Sequence, residues 1–132
     1  MIQERGGRIG PVLDAASAAS SKTAQNVVIL DVSKQLVITD YFLICHAQSD
    51  RQVRTIADEV ERCLREDHSM KPYRREGERD AHWVLLDYVD FVVHVFQAQD
   101  REYYDLERLW SDAPKIEVSE GGFDEPAAAK AT

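Results

Sequence analysis

Residues 83–97, with the sequence WVLLDYVDFVVHVFQ, form the stretch that most constrains how this chain can fold. Valine and aromatic residues dominate it, and such side chains pack well on the pleated surface of a sheet. Two acids, Asp87 and Asp90, interrupt the run at its centre, where one long buried helix would have to hide both charges. We therefore predict two strands, residues 83–87 and 90–97, joined by a tight reversal.

The chain has 132 residues and a formal net charge of −8, with a sequence pI near 4.9. A chain of this length buries a core as one domain. Gripping nucleic acid requires clustered Lys and Arg, so the acidic balance argues against direct nucleic-acid binding and favours a basic protein partner. Two cysteines are too few for a disulfide framework, and no stretch has the character of a signal peptide or a membrane span. We expect a cytoplasmic protein without membrane contact.

Apolar spacing and turn residues divide the rest of the chain into helices and strands. Residues 1–10 are polar and glycine-rich and are expected to be flexible, and residues 119–132 form a tail expected to be disordered. Between them, residues 11–118 are predicted to form one α+β domain, with a mixed, mostly five-stranded β-sheet flanked by helices. The predicted helices are residues 11–25, 50–66 and 101–110, and the further strands are residues 26–32, 36–46, 73–76 and 115–118.

The predicted helices differ in the strength of their apolar faces. In residues 50–66 the apolar side chains form a clean amphipathic stripe, which predicts a helix packed on the sheet. Residues 11–25 are rich in alanine and have a modest apolar face, so this helix is expected on the outside of the domain. The last helix is expected to be capped by Asp100 or a neighbour and to place Tyr103 and Trp110 in the core.

Asp87 and Asp90 invite a catalytic interpretation, as metal-binding or general-base carboxylates. Carboxylates on one strand that share a metal usually alternate as D-x-D, whereas these are spaced D-x-x-D across the expected turn. No glycine-rich phosphate loop precedes them, and the four histidines show no metal-site spacing. Asp also favours turns for conformational reasons alone. We therefore expect no catalytic residue, metal or cofactor, and we expect His94 to be a neutral, hydrogen-bonded side chain of the core.

Trp83 and Tyr88 stand where complete burial is difficult, at a strand entrance beside polar residues and between two acids at a turn. On composition alone, core packing and contact with a partner are equally open for them. Partly exposed aromatic side chains rimmed by acids are typical of protein-binding hot spots. The candidate binding residues are therefore Trp83, Asp87, Tyr88 and Asp90.

Four segments of the chain, in order and with similar gaps, resemble the ribosomal silencing factor (RsfS, Iojap-like) family. They are ITDYFLIC, SDRQV, RREGERDAHWVLLDYVDFVVHVF and REYYDLERLWSDA. The resemblance extends from about residue 11 to residue 118. The chain departs from the family pattern at Ala47 and Val89, where glycine is usual, and at His82, where a smaller or acidic residue is common.

The resemblance implies a non-enzymatic protein that binds ribosomal protein L-fourteen on the large ribosomal subunit. By obstructing association with the small subunit, such a protein represses translation under nutrient limitation or in stationary phase. The resemblance also implies a homodimer, and a fold similar to nucleotidyltransferases without their catalytic motif. The positions that match the partner-binding motif are Trp83, Tyr88 and Asp90, with Asp87 adjoining. The rival hypothesis is a nucleotidyltransferase-like nucleotide-binding domain or enzyme that uses Asp87 and Asp90.

Overall fold

Six strands form one mixed sheet in the part of the chain that this computed structural model describes, residues 9–118. The expected flexible start and disordered tail lie outside those residues, except that residues 9 and 10 open the first helix. The elements in chain order are α1 Ile9–Ser21, β1 Gln25–Asp31, β2 Tyr41–Ala47, α2 Asp50–His68, β3 Arg74–Glu76, β4 Trp83–Asp87, β5 Phe91–Gln97, α3 Ala98–Tyr104, α4 Leu106–Leu109 and β6 Lys115–Val118.

The strands lie in the order β3-β4-β5-β2-β1-β6, and every neighbouring pair is antiparallel except β2 and β5. This arrangement confirms the predicted α+β class and the mixed sheet. The sheet has six strands rather than the five expected, because the short segments β3 and β6 both join it, one at each edge. Segments of three and four residues carry too little periodicity to be assigned with certainty from sequence.

The predicted hairpin of residues 83–97 is confirmed, with β5 beginning one residue later than expected. β4 and β5 pair antiparallel, so that Trp83 faces Phe96 and Leu85 faces His94. Because successive side chains of a strand point to opposite faces of the sheet, Trp83 and Leu85 share one face with Asp87. This register determines which side chains of the hairpin are free to meet a partner.

Two helices cover the other face of the sheet. The hydroxyl of Ser49 caps α2 by accepting the Gln52 N–H at 3.2 Å, and Ser69 ends the helix in the left-handed conformation. All six apolar residues of the predicted stripe are buried, which confirms it. α1 lies beside α2 in this layer, and its small alanines are buried because they permit close approach between the helices. No helix in residues 9–118 is long and apolar enough to cross a membrane.

The segment that follows β5 differs from the single helix predicted for residues 101–110. It forms α3 and α4, separated at Asp105, whose φ of +50° breaks the helical path. The residue before α3 is Gln97, not Asp100, and it makes no side-chain cap. Tyr103 is 80% exposed, so its expected core position is wrong, whereas the half-buried Trp110 packs against the core at the second face of the sheet.

The second strand is shorter than predicted, because β2 begins at Tyr41 and residues 36–40 form a loop. The N–H of Asp40 donates to the carbonyl of Asp90 at 2.8 Å, which ties the end of this loop to the tip of the β4–β5 hairpin. The apolar side chains of the loop are therefore not sheet residues, and Ile38 is 79% exposed.

Candidate functional site

The candidate site is the open face of the β4–β5 hairpin, on the side of the sheet away from α1 and α2. Val84 and Leu86 point into the core beneath the helices and are fully buried. Trp83, Leu85 and Asp87 alternate with them and are only partly buried. Strand alternation thus separates the hairpin into a buried scaffold and a face that reaches solvent.

Trp83 is held in place by contacts on several sides. Its indole Nε1–H donates to Nδ1 of His94 at 3.1 Å. The indole ring stacks on Phe96 with 4.8 Å between ring centroids, and Tyr104 of α3 packs on it at 4.7 Å. The side chain remains half-buried, so part of a rigidly oriented indole faces solvent. Such a side chain loses little conformational entropy when a partner covers it.

His94 forms the buried floor beside Trp83. Burial lowers its pKa from the usual 6.5 to about 4, so the imidazole is neutral near pH 7. Because Nδ1 accepts the indole proton, the ring proton is on Nε2, which has no hydrogen-bond partner among the described residues. The predicted neutral, hydrogen-bonded core histidine is confirmed.

The tip of the hairpin is a tight turn built around Asp87. Its Oδ1 accepts the Val89 N–H at 2.8 Å, and its Oδ2 lies 3.4 Å from Nε of Arg74 on β3. The Asp90 N–H donates to the Tyr88 carbonyl at 2.8 Å, which closes the reversal. One carboxylate therefore both shapes the turn and presents a negative charge near the surface.

The side chain of Tyr88 is buried, although its position between two acids favours partial exposure. Its side chain is only 4% exposed and belongs to the core cluster beneath the helices, with its ring stacked on Phe91 at 5.0 Å. Burial raises the pKa of its hydroxyl above the usual value of 10. Core packing, one of the two possibilities left open for Tyr88, is the outcome, because the strand alternation that buries Val84 and Leu86 continues to Tyr88 on the face opposite Trp83. The open site therefore consists of Trp83, Asp87 and the hairpin tip. Tyr88 lies on the opposite face and packs in the core beneath the helices.

Val89 is in a conformation that valine rarely adopts. Its φ is +72°, in the left-handed region that a β-branched residue enters only with strain. Its side chain is 53% exposed. Glycine reaches this region without a steric cost, so a glycine at this position, as the resemblance implies, would remove the strain.

A groove of about 400 Å³ continues the open face from β4 toward the loop of residues 36–40. Its walls are mainly apolar and are contributed by both the loop and the hairpin. The principal lining residues are Leu36, Ile38, Phe42, Leu85, Val89 and Val92. Sequence reasoning missed this groove, because the apolar residues of the loop were assigned to a strand. The available signal was Asp40, a residue that favours a turn immediately before Tyr41.

Gly77 fixes the start of β4 from the β3 side. Its φ is +88°, and a Cβ placed on it would lie 1.9 Å from the carbonyl oxygen of Trp83. Only glycine therefore allows the turn after β3 to pass so close to the backbone of Trp83. This contact helps to position the strand that carries the site.

A second polar cluster is centred on Arg101 of α3, whose side chain is buried, with only 8% of its surface exposed. Its guanidinium donates to Glu107 at 3.1 and 3.0 Å and to the carbonyl of Asn26 at 2.7 Å. Nη1 also lies 2.9 Å from Nδ1 of His46, whose pKa is lowered by burial and by the Arg101 charge. Arg101 therefore joins α3 to the sheet, a role that sequence reasoning did not assign.

The acids of the hairpin do not form a metal site in the described part of the chain. Across residues 9–118, no group of three or more His, Cys, Asp or Glu side chains is arranged to hold a metal ion. The carboxylate of Asp87 is already engaged by the Val89 N–H and by Arg74. Nothing in this geometry favours the rival nucleotidyltransferase-like hypothesis.

Comparison with protein families matches residues 10–132 to the family described as ribosomal silencing factor during starvation. The ribosomal silencing factor RsfS of Halalkalibacterium halodurans is 44% identical over 104 residues, which cover 79% of this chain and 88% of that protein. The RsfS of Bacillus subtilis is 42% identical over 107 residues, covering 81% of this chain and 90% of that protein.

A solved structure shows the same fold. A crystal structure of a Bacillus halodurans protein superposes with a TM-score of 0.70 at 40% identity, covering 81% of this chain and 96% of that chain. The match spans nearly the whole of the solved chain, so the likeness concerns the complete domain rather than a shared substructure.

Proposed function

This chain belongs to the ribosomal silencing factor family, and we propose from that membership that it represses translation at the large ribosomal subunit. The family is regulatory rather than enzymatic. The partner is ribosomal protein L-fourteen, as the family resemblance implies. By occupying L-fourteen, the bound chain excludes the small subunit. This mechanism requires occupancy of a surface and no chemical step.

The proposed contact surface consists of Trp83, Asp87 and Asp90, supported by Tyr88. Trp83 offers the exposed part of a fixed indole ring, and Asp87 and Asp90 bring negative charge to the tip, which favours an approach by basic side chains of L-fourteen. Tyr88 contributes indirectly, because its buried ring packs on Phe91 and holds the tip in position.

The observation that carries this proposal is the alternation along β4. Trp83 and Asp87 lie on the same face, away from the helices, although they are four positions apart in the sequence. An aromatic anchor and a carboxylate are thus presented together on a rigid strand. Aromatic anchors with charged neighbours are the usual centre of a protein-binding surface.

The charge of the chain agrees with such a partner. The chain carries a formal net charge of −8, and ribosomal proteins are typically basic. Opposite net charges on two proteins raise the rate at which they associate and disfavour binding of other partners. Their effect on the affinity of the complex is smaller. We therefore expect the association rate to fall as the salt concentration rises.

The proposal includes the cellular setting. The proposed setting is the cytoplasm, where the chain forms a homodimer and silences ribosomes under nutrient limitation or in stationary phase. The family description, which refers to starvation, supports this setting. Silencing by occupancy is reversible, since release of the chain restores the surface on which the subunits join.

Calorimetric titration of purified L-fourteen into this chain tests the proposal. We expect saturable binding that weakens about fivefold to tenfold in the variant Asp87→Asn. The amide oxygen of Asn can still accept the Val89 N–H, so this change removes the charge and preserves the turn.

The matched control is Glu117→Gln on β6, at the opposite edge of the sheet. It changes the net charge by the same amount, and we expect it to bind L-fourteen as the unaltered chain does. Absence of binding by the unaltered chain would contradict the proposal. Equal weakening by both variants would show that only net charge matters and would remove Asp87 from the contact surface.

A further inference from the structure

The strained turn residue Val89 stands at the mouth of the apolar groove. The chain keeps a β-branched side chain at a φ of +72°, where glycine would be free of strain. That side chain is 53% exposed, so burial within the chain does not repay the strain. The Val89 N–H is held by Asp87, but the valine side chain itself is not needed for that hydrogen bond, so its retention points to a contact outside the chain.

Exposed apolar side chains concentrate around the same groove. Seven large hydrophobic side chains are exposed among the described residues, and three of these, Ile38, Tyr73 and Val89, line it. They project from the loop of residues 36–40, from the residue before β3 and from the hairpin tip. Groups of exposed apolar residues bordered by charges mark interaction sites more often than single exposed residues do.

The polar border of the groove indicates what kind of segment fits there. Asp87 lines the groove, and its carboxylate keeps 19% exposure beside Arg74. Asp90 lies at the same tip, where its backbone is tied to the loop through Asp40. A partner with an apolar side chain next to a basic one would fill the apolar walls and complement the acidic border.

We propose that this groove receives an apolar side chain of L-fourteen, flanked by a basic residue, and that Val89 forms the wall that grips it. This inference rests on the proposed function and deepens it. It adds the groove to Trp83 as a second place where an apolar side chain of L-fourteen is bound. Val89 is then a specificity-determining residue of this chain. Its strain is retained because the side chain contributes to binding.

The variant Val89→Gly separates the two effects of this residue, because stability and binding change in opposite directions. Relief of strain should raise the midpoint of thermal unfolding by roughly 3 °C, after allowance for the greater freedom of glycine in the unfolded chain. Loss of the apolar wall should weaken L-fourteen binding about tenfold in calorimetric titration. A purely structural role for Val89 would not produce this combination.

Three further variants sharpen the test. Val89→Asn also suits the left-handed turn but is polar, so it should weaken binding as Val89→Gly does without making the backbone more flexible. Ile38→Ala removes the opposite wall and leaves the turn intact, and it should weaken binding to a similar extent. Leu109→Ala is the control, because this residue is 73% exposed on α4 and does not line the groove.

The outcomes distinguish this inference from the function on which it rests. If the unaltered chain does not bind L-fourteen, the proposed function fails. If the unaltered chain binds and the Val89 and Ile38 variants bind equally well, the function stands and the groove inference is overturned. A lower unfolding midpoint for Val89→Gly would overturn the assignment of strain to Val89.

Discussion

Replacing Arg101 with alanine is expected to lower the free energy of unfolding by about 3–5 kcal/mol, the usual cost of removing one partner of a buried ion pair. Arg101 is 8% exposed and joins Glu107 to the carbonyl of Asn26. Its loss leaves the Glu107 carboxylate, whose side chain is 28% exposed, and the Asn26 carbonyl without their donor. Denaturant unfolding monitored by circular dichroism measures the change.

Arg62 provides the control for this prediction. It also bonds two carboxylates, including Glu66 at 2.6 Å, but it lies on the exposed face of α2. Because solvent screens exposed pairs, Arg62→Ala should change stability far less than Arg101→Ala. Similar losses from the two variants would contradict the account of Arg101 as the buried link between α3 and the sheet.

Replacing Trp83 with alanine is expected to reduce both stability and binding. The free energy of unfolding should fall by about 3 kcal/mol, the lower end for a tryptophan truncation because the side chain is only half-buried. The stacking on Phe96 and Tyr104 is lost, and Nδ1 of His94 loses its donor. Binding of L-fourteen should weaken by about 2–4 kcal/mol if Trp83 is a hot spot.

Calorimetry at a temperature where the Trp83→Ala variant remains folded separates the two effects. Tyr103→Ala is the stability control, because Tyr103 is 80% exposed and its ring packs edge-on against Tyr104, 5.0 Å between centroids. It should leave the free energy of unfolding nearly unchanged. Wild-type affinity in a folded Trp83→Ala variant would remove Trp83 from the contact surface.

The parts of the fold that could be predicted are those in which one local pattern decides the structure. In residues 83–97, composition and the central acids indicated a hairpin, and the register follows from the turn. In residues 50–66, regular apolar spacing indicated a helix that packs on the sheet. In both segments, local preference and tertiary burial favour the same structure.

The errors occurred where a distant contact decides the structure. The apolar residues 36–40 suit a strand locally, but Asp40 pairs with the hairpin tip instead. The helix after β5 breaks at Asp105, and Arg101 on one side of the break pairs with Glu107 on the other, but no helix-breaking glycine or proline marks this position.

The candidate site was predicted in part. Trp83 and Asp87 share an open face because the strand period alone sets it. Tyr88 continues the buried alternation of Val84 and Leu86, but its place beside the turn left its burial undecided from sequence, and the left-handed conformation of Val89 could not be anticipated from the ordinary preferences of valine. The groove required knowledge of where the loop of residues 36–40 lies, which only the folded chain supplies.

The central claim is that this chain silences ribosomes by occupying the large subunit and excluding the small one. Sedimentation of purified subunits at increasing concentrations of the chain tests it most directly. The account predicts that the chain sediments with free large subunits, is absent from joined ribosomes, and lowers the joined fraction as its concentration rises. Joining at the normal level while the chain remains bound to the large subunit would contradict it.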